Sequence, residues 1–272
     1  MRRPAVILVA GLLAVGSAGC GTNGSGSGGS GGGGGGRGSG GAGPGTAAVT
    51  GDLTVLAASS LTESFTTIGR QFEAAHPGVS VTFGFGGSSA LVSQITSGAP
   101  ADVFASASAT TMDAVVAAGA ATDPRVFATN LMEIAVPPSN PGKVSGVDSL
   151  AAAEVTTALC QPQVPCGSTA AQVFANARVS VQPVTLDPDV RSVLSKVRLG
   201  EVDAGVVYRT DVLAAGDEVT GVEIPAEVNA STDYPIAALS RSDNAAAAAA
   251  FVDHVLSAEA AAVLIAAGFG RP

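Results

Sequence analysis

The chain has 272 residues, with 22 acidic against 13 basic side chains, a net charge of −9, 36 glycines, three cysteines and two histidines. So acidic a balance argues against nucleic acid as a partner, because phosphate contacts need clustered Lys and Arg. A protein-ligated metal is not expected either: Cys160 and Cys166 would need further ligands, and His76 and His254 lie far from them in sequence.

At the start of the chain, Arg2 and Arg3 precede an apolar run from Ala5 to Val15, which closes on Gly16-Ser17-Ala18-Gly19 before Cys20. Charged, then apolar, then small is the order of a secretory signal, predicted over residues 1–19. The apolar run is too short for the ~20 residues of a membrane-spanning helix. Cys20 stands where a bacterial lipoprotein carries its lipidated cysteine, with Ser17 at the position that usually holds Leu. Gly and Ser dominate residues 21–47, so residues 20–49 are predicted to be a flexible tether with too little apolar surface to fold. Loss of residues 1–19 removes two bases and no acid, which takes the net charge from −9 to −11.

From Asp52 the pattern alternates. Residues 53–57 read as a strand, followed by a helix with Leu61, Phe65, Ile68 and Phe72 on one face, stopped by His76-Pro77-Gly78. Residues 79–83 are the next strand, and Leu91 and Ile95 mark a short helix ending at Gly98. A strand at 101–105 leads into a helix through Met112, Val115 and Val116. A second set follows, with strands at 131–136, 155–159 and 204–208 and helices after Cys166 and over 189–199. A last strand at 235–239 precedes helices at 244–256 and 258–267; Asp253 and His254 argue against a membrane span there.

This alternation predicts an α/β fold with parallel-rich sheets flanked by helices. The late strand returning to the first set predicts two lobes, residues 50–129 with 233–272 and residues 130–232, and a ligand cleft between them.

Ser59-Ser60 and Gly87-Ser88-Ser89 each fall between a strand and a helix. A hydroxyl beside the unpaired N–H groups of a helix start makes an anion site from neutral donors. Serine is also a preferred N-cap worth about 1 kcal/mol, so a purely structural reading stands beside the anion reading. Gly84, Gly86 and Gly87 would let a ligand approach the backbone closely.

The run 56–61, Leu-Ala-Ala-Ser-Ser-Leu, resembles the first serine motif of bacterial molybdate-binding proteins, the receptors of molybdate ABC importers. Phe85-Gly86-Gly87-Ser88-Ser89-Ala90-Leu91 is similar to the second. The stretch from Gln94 to Ala107 is close to the family's most recognisable segment, and Val164-Pro165-Cys166-Gly167, Asp189-Val190-Arg191 and Gly205-Val206-Val207-Tyr208 follow in family order. The resemblance implies a two-lobed periplasmic-binding-protein fold (type II) with a hinged cleft. It implies that Ser60 and Ser88 donate hydroxyl and backbone bonds, Cys166 and Val190 their N–H groups, and Tyr208 its phenol. Cys166 matches a position usually held by Ala, and Ser59 one where Ala is common. The implied ligand is molybdate or tungstate, with no cofactor and no catalysis. The implied partners are an ABC permease and its ATPase, serving a monomer anchored by lipid at Cys20 to the outer face of the cytoplasmic membrane.

In an exported chain Cys160 and Cys166 are expected to form a disulfide, two free buried thiols being the other reading. Two further readings stay open. Gly86 to Ala90 partly resembles a nucleophile elbow, with Asp211 and His254 following in hydrolase order and Ser88 as nucleophile. A receptor for another tetrahedral oxyanion, such as sulfate or phosphate, would need the same donors.

Overall fold

The computed structural model of the protein describes residues 49–272; the signal and Cys20, and all of the tether but Val49, lie outside the described residues. The first set of elements is β1 (Thr50–Ala58), α1 (Thr62–Ala75), β2 (Gly78–Gly86), α2 (Ser88–Thr96), β3 (Val103–Ala105) and α3 (Ala109–Ala117). The second is β4 (Arg125–Val136), β5 (Thr157–Cys160), α4 (Pro165–Ala177), β6 (Thr185–Asp187), α5 (Val190–Arg198), β7 (Ala204–Tyr208), α6 (Arg209–Ala215) and β8 (Thr220–Val222). The chain then runs through β9 (Ser231–Ala238), α7 (Ala245–Val255) and α8 (Ala258–Ala266).

The elements predicted from periodicity are all present. Three short ones, β6, α6 and β8, carry too few residues to show a period. β4 starts at Arg125 rather than Leu131, because its first part is half exposed and is held by pairing with β9 instead of by an apolar run.

The nine strands form one mixed α/β sheet in the order β2-β1-β3-β9-β4-β7-β5-β6, with β8 also on β4. Its wings are parallel, as the alternation predicts: β1 with β2 and β3, β5 with β6 and β7. Its centre is antiparallel. β9 runs against β3 and β4, and β4 runs against β7 and β8. β4 pairs with β9 through Leu131 and with β7 from Met132, so one strand passes from one half of the sheet to the other.

Each half has its own core. Around β1, β3 and β9, Leu61 at the cap of α1 and Phe65, Ile68 and Phe72 within it are fully buried at the spacing of one helix face. Phe251 of α7 packs against Phe72 at 5.2 Å and Phe65 at 6.2 Å. A smaller cluster lies under α2 and α3. Around β5 and β7 the core is aliphatic, with Val173, Val193, Val197 and Val207 fully buried. Parallel strands place their C-terminal ends, and the helix starts that follow them, on one side of the sheet.

Candidate functional site

Ser59 and Ser60 lie on a single 3-10 turn, Ser59–Leu61, between β1 and α1, and each is only 6% exposed. Neither caps a helix: Leu61 holds the cap position of α1, with no side-chain cap bond. Ser88 is the first residue of α2, behind the cap position Gly87, and it also makes no cap bond. The capping explanation for both serines therefore fails, and their hydroxyls are committed elsewhere. Ser60 Oγ lies 2.8 Å from the Tyr234 hydroxyl. Ser88 Oγ accepts the N–H of Ala107 at 3.1 Å. A backbone amide can only donate, so the Ser88 oxygen is engaged from behind and its own proton is left for the other side.

In the second half, a disulfide joins Cys160 at the end of β5 to Cys166 in the first turn of α4, with Cα atoms 5.8 Å apart. Pro165 opens that helix, where its missing N–H is harmless. Gly167 is required by the same fold-back, since a Cβ there would collide with the carbonyl oxygen of Gln161. Asp189 caps α5 by accepting the N–H of Ser192 at 3.0 Å, which leaves Val190 in the first turn. First-turn N–H groups, including those of Cys166 and Val190, have no acceptor inside their own helix.

Tyr208 ends β7, is 1% exposed, and its buried hydroxyl has no hydrogen-bond partner. Burial first, then the neighbouring Tyr234 and Asp211, hold its pKa well above the ordinary phenol value, so it stays a donor. Beneath it, Asp211 accepts the Tyr208 N–H at 3.1 Å, and burial pushes the Asp211 carboxyl up to about 7.

All five residues expected to bind, Ser60, Ser88, Cys166, Val190 and Tyr208, line one small cavity, together with Ser59, Gly86, Gly87, Ala107 and Asp189, whose carboxylate accepts from the Ser192 N–H and hydroxyl. No Lys or Arg lines it. Arg191, beside Val190, is turned to Glu63 of α1 in an ion pair at 2.6 Å. That pair bridges the halves, as does the Ser89 hydroxyl donating to the Gln163 carbonyl at 2.6 Å. Of the glycines expected to admit a ligand, Gly86 and Gly87 line the cavity and Gly84 does not. A Cβ on Gly84 would strike Leu56 of the neighbouring strand, and one on Gly87 would strike the Pro188 carbonyl oxygen of the other half. A larger groove lined by Asp52, Asp102 and Asp243 with Arg241 carries mostly acceptors, the wrong chemistry for an anion.

The hydrolase arrangement is absent. Ser88, Asp211 and His254 make no hydrogen bond to one another: Ser88 holds Ala107, Asp211 holds the Tyr208 N–H, and His254 packs on Phe72 at 5.5 Å. Among the described residues, no group of three or more His, Cys, Asp or Glu is placed to hold a metal ion. Sequence reasoning missed Tyr234, Asn130 and the Ala107 N–H behind the serines. Their only signal was indirect, since Tyr234 is one of two tyrosines and Ala107 ends the 94–107 run.

The chain resembles known proteins over most of its length. The profile of a bacterial extracellular solute-binding protein family matches residues 53–270. The molybdate-binding protein ModA of Mycobacterium tuberculosis is 42% identical over 221 residues, covering 81% of this chain and 85% of that one. The solved substrate-binding domain of a putative molybdenum ABC transporter from Clostridium difficile aligns with a TM-score of 0.61 at 25% identity, over 81% of this chain and 99% of that one. The periplasmic molybdate-binding protein of Azotobacter vinelandii aligns with a TM-score of 0.72 at 22% identity, over 81% and 99%, and supports the fold.

Proposed function

The chain belongs to the bacterial extracellular solute-binding proteins, and on that premise we propose that it captures molybdate, and with it tungstate, for an ABC importer. One observation carries this reading: hydrogen-bond donors from both halves of the sheet converge on a small cavity that no basic side chain lines. Ser60 and Ser88 donate from the first half, and the Cys166 and Val190 N–H groups and the Tyr208 hydroxyl donate from the second. A dianion is held there by neutral dipoles, so the net charge of −9 is no obstacle.

Residues 50–129 with 233–272 and residues 130–232 act as two lobes that close on the ligand about the crossing strands β4 and β9. Bonds to both lobes favour the closed form because the open form cannot make them together. The closed monomer then docks on the permease, whose ATPase drives uptake. Cys20 carries the lipid that holds the protein at the outer face of the cytoplasmic membrane, and residues 21–49 let the domain search near that surface.

A thermal-shift series with molybdate, tungstate, sulfate and phosphate tests the ligand. A ligand at about 100 times its Kd stabilises the folded state by about 2.7 kcal/mol. Molybdate and tungstate are expected to raise the melting temperature at micromolar levels, sulfate and phosphate far less. No shift with molybdate would sink the proposal. Scattering should show compaction on binding, and Cys20→Ser should release the native protein from the membrane fraction.

A further inference from the structure

Behind the cavity, the two serines are backed in different ways. The Ser88 oxygen is engaged directly by a backbone amide, Ala107 N–H. The Ser60 oxygen meets another hydroxyl, Tyr234, and a pair of hydroxyls has no built-in direction: either can donate. The direction must come from further back.

It comes from Asn130. The N–H of Leu131 donates to Asn130 Oδ1 at 3.0 Å, and a backbone amide cannot do otherwise. That fixes the side-chain amide and turns Nδ2 the other way. Its two protons then have two acceptors, Thr210 Oγ1 at 2.8 Å and the Tyr234 hydroxyl oxygen at 3.4 Å. With its oxygen accepting from Asn130, Tyr234 has one proton to give, and Ser60 Oγ at 2.8 Å is the acceptor in hydrogen-bond geometry, the neighbouring Tyr208 hydroxyl making no such bond. Ser60 in turn must send its own proton into the cavity it lines. Asn130 and Tyr234 are 2% and 0% exposed, so water does not compete for these bonds.

We propose that Asn130 and Tyr234 are positioning residues that set the polarity of Ser60, making it a donor toward the ligand and not an acceptor. The consequence is selectivity. With one lone pair taken by Tyr234 and its proton turned to the ligand, Ser60 suits an oxyanion with no proton of its own and is a poorer acceptor for the hydroxyl of a protonated oxyanion such as hydrogen phosphate. A site that leaves a buried polar group unpaired rejects the ligand that causes it. The inference rests on the anion-binding reading above and assigns the supporting chain within it.

The test is calorimetric titration of wild type, Tyr234→Phe and Asn130→Asp with molybdate and with hydrogen phosphate, at mildly alkaline pH where both are dianions. Tyr234→Phe frees Ser60 to point either way. Molybdate affinity is expected to fall by about tenfold, the scale of one hydrogen bond, and the preference for molybdate over hydrogen phosphate to narrow. Asn130→Asp keeps the Leu131 N–H bond but presents Tyr234 with an acceptor, so the chain reverses and Ser60 offers its lone pair to the cavity. Its added charge repels both dianions alike, so the narrowed preference reports the reversal. In a Ser60→Ala background, Tyr234→Phe is expected to have no further effect on molybdate.

Equal losses for both ligands, or an unchanged preference in both variants, would overturn the wiring while leaving the receptor reading intact. A wild-type chain that binds no oxyanion would overturn that reading and the wiring with it.

Discussion

Eight of the nine phenylalanines lie in residues 50–129 and 231–272, and the second half of the fold has Phe174 alone. In the first half, Phe65 meets Phe83, Phe127 and Phe251 with ring centroids 5.6–6.2 Å apart, and Tyr234 meets Phe269 at 5.2 Å. Around β5 and β7 the buried residues are chiefly Val, Ala, Leu and Ile, and the disulfide ties β5 to α4. The halves differ in the same way at the cavity. The first presents side-chain hydroxyls from Ser60 and Ser88. The second presents first-turn N–H groups at Cys166 and Val190, with the Tyr208 phenol between. A half rich in rings is held by packing, and the polar groups it brings to the cavity are side chains that also brace the fold. A half built of small residues carries a crosslink, and the polar groups it brings to the cavity are largely helix ends.

The largest expected effect breaks the meeting of the halves. Gly87→Val would drive a side chain into the Pro188 carbonyl region. Overpacking of about 1–3 kcal/mol predicts a loss of molybdate affinity that reaches about hundredfold. The ligand-free melting temperature should hardly move, because an open form relieves the clash. A titration within threefold of wild type would show that the halves need not meet there.

Next is the crosslink. Replacing Cys160 and Cys166 by Ser should destabilise the protein by about 2 kcal/mol in the chain-entropy model, or about 4–8 °C in melting temperature at this size. Reductant should reproduce the shift in wild type and leave the variant unmoved.

A finer comparison sets one hydroxyl from each half side by side. Tyr208→Phe removes a buried hydroxyl that has no partner, so affinity should fall by about tenfold with ligand-free stability unchanged or improved. Ser88→Ala removes the acceptor of the Ala107 N–H as well as a proposed ligand donor, so affinity and ligand-free stability should both fall, the latter by about 1–3 kcal/mol. Equal stability losses in the two would erase the distinction. The smallest effect is expected at the ion pair that spans the halves. Both partners are substantially exposed, so Arg191→Gln should change stability by less than about 1 kcal/mol, and salt should shrink even that.

The sequence by itself determined the order and type of the long elements, since a helix face such as Leu61, Phe65, Ile68 and Phe72 is written as a period. It also pointed to the two serines, because Ser59-Ser60 and Gly87-Ser88 between strand and helix are visible as side chains. Val190 was identified by resemblance alone, for a backbone N–H leaves no trace in residue type. Only the tertiary structure decided the antiparallel centre of the sheet, which arises when β4 and β9 meet from distant parts of the chain. It alone decided that neither serine is a cap, and it alone brought Asn130 and Tyr234 behind Ser60, a contact across 174 residues for the Ser60–Tyr234 pair. Local periodicity records which face of an element is buried. The direction of a hydrogen bond inside the core depends on partners that are neighbours only after folding.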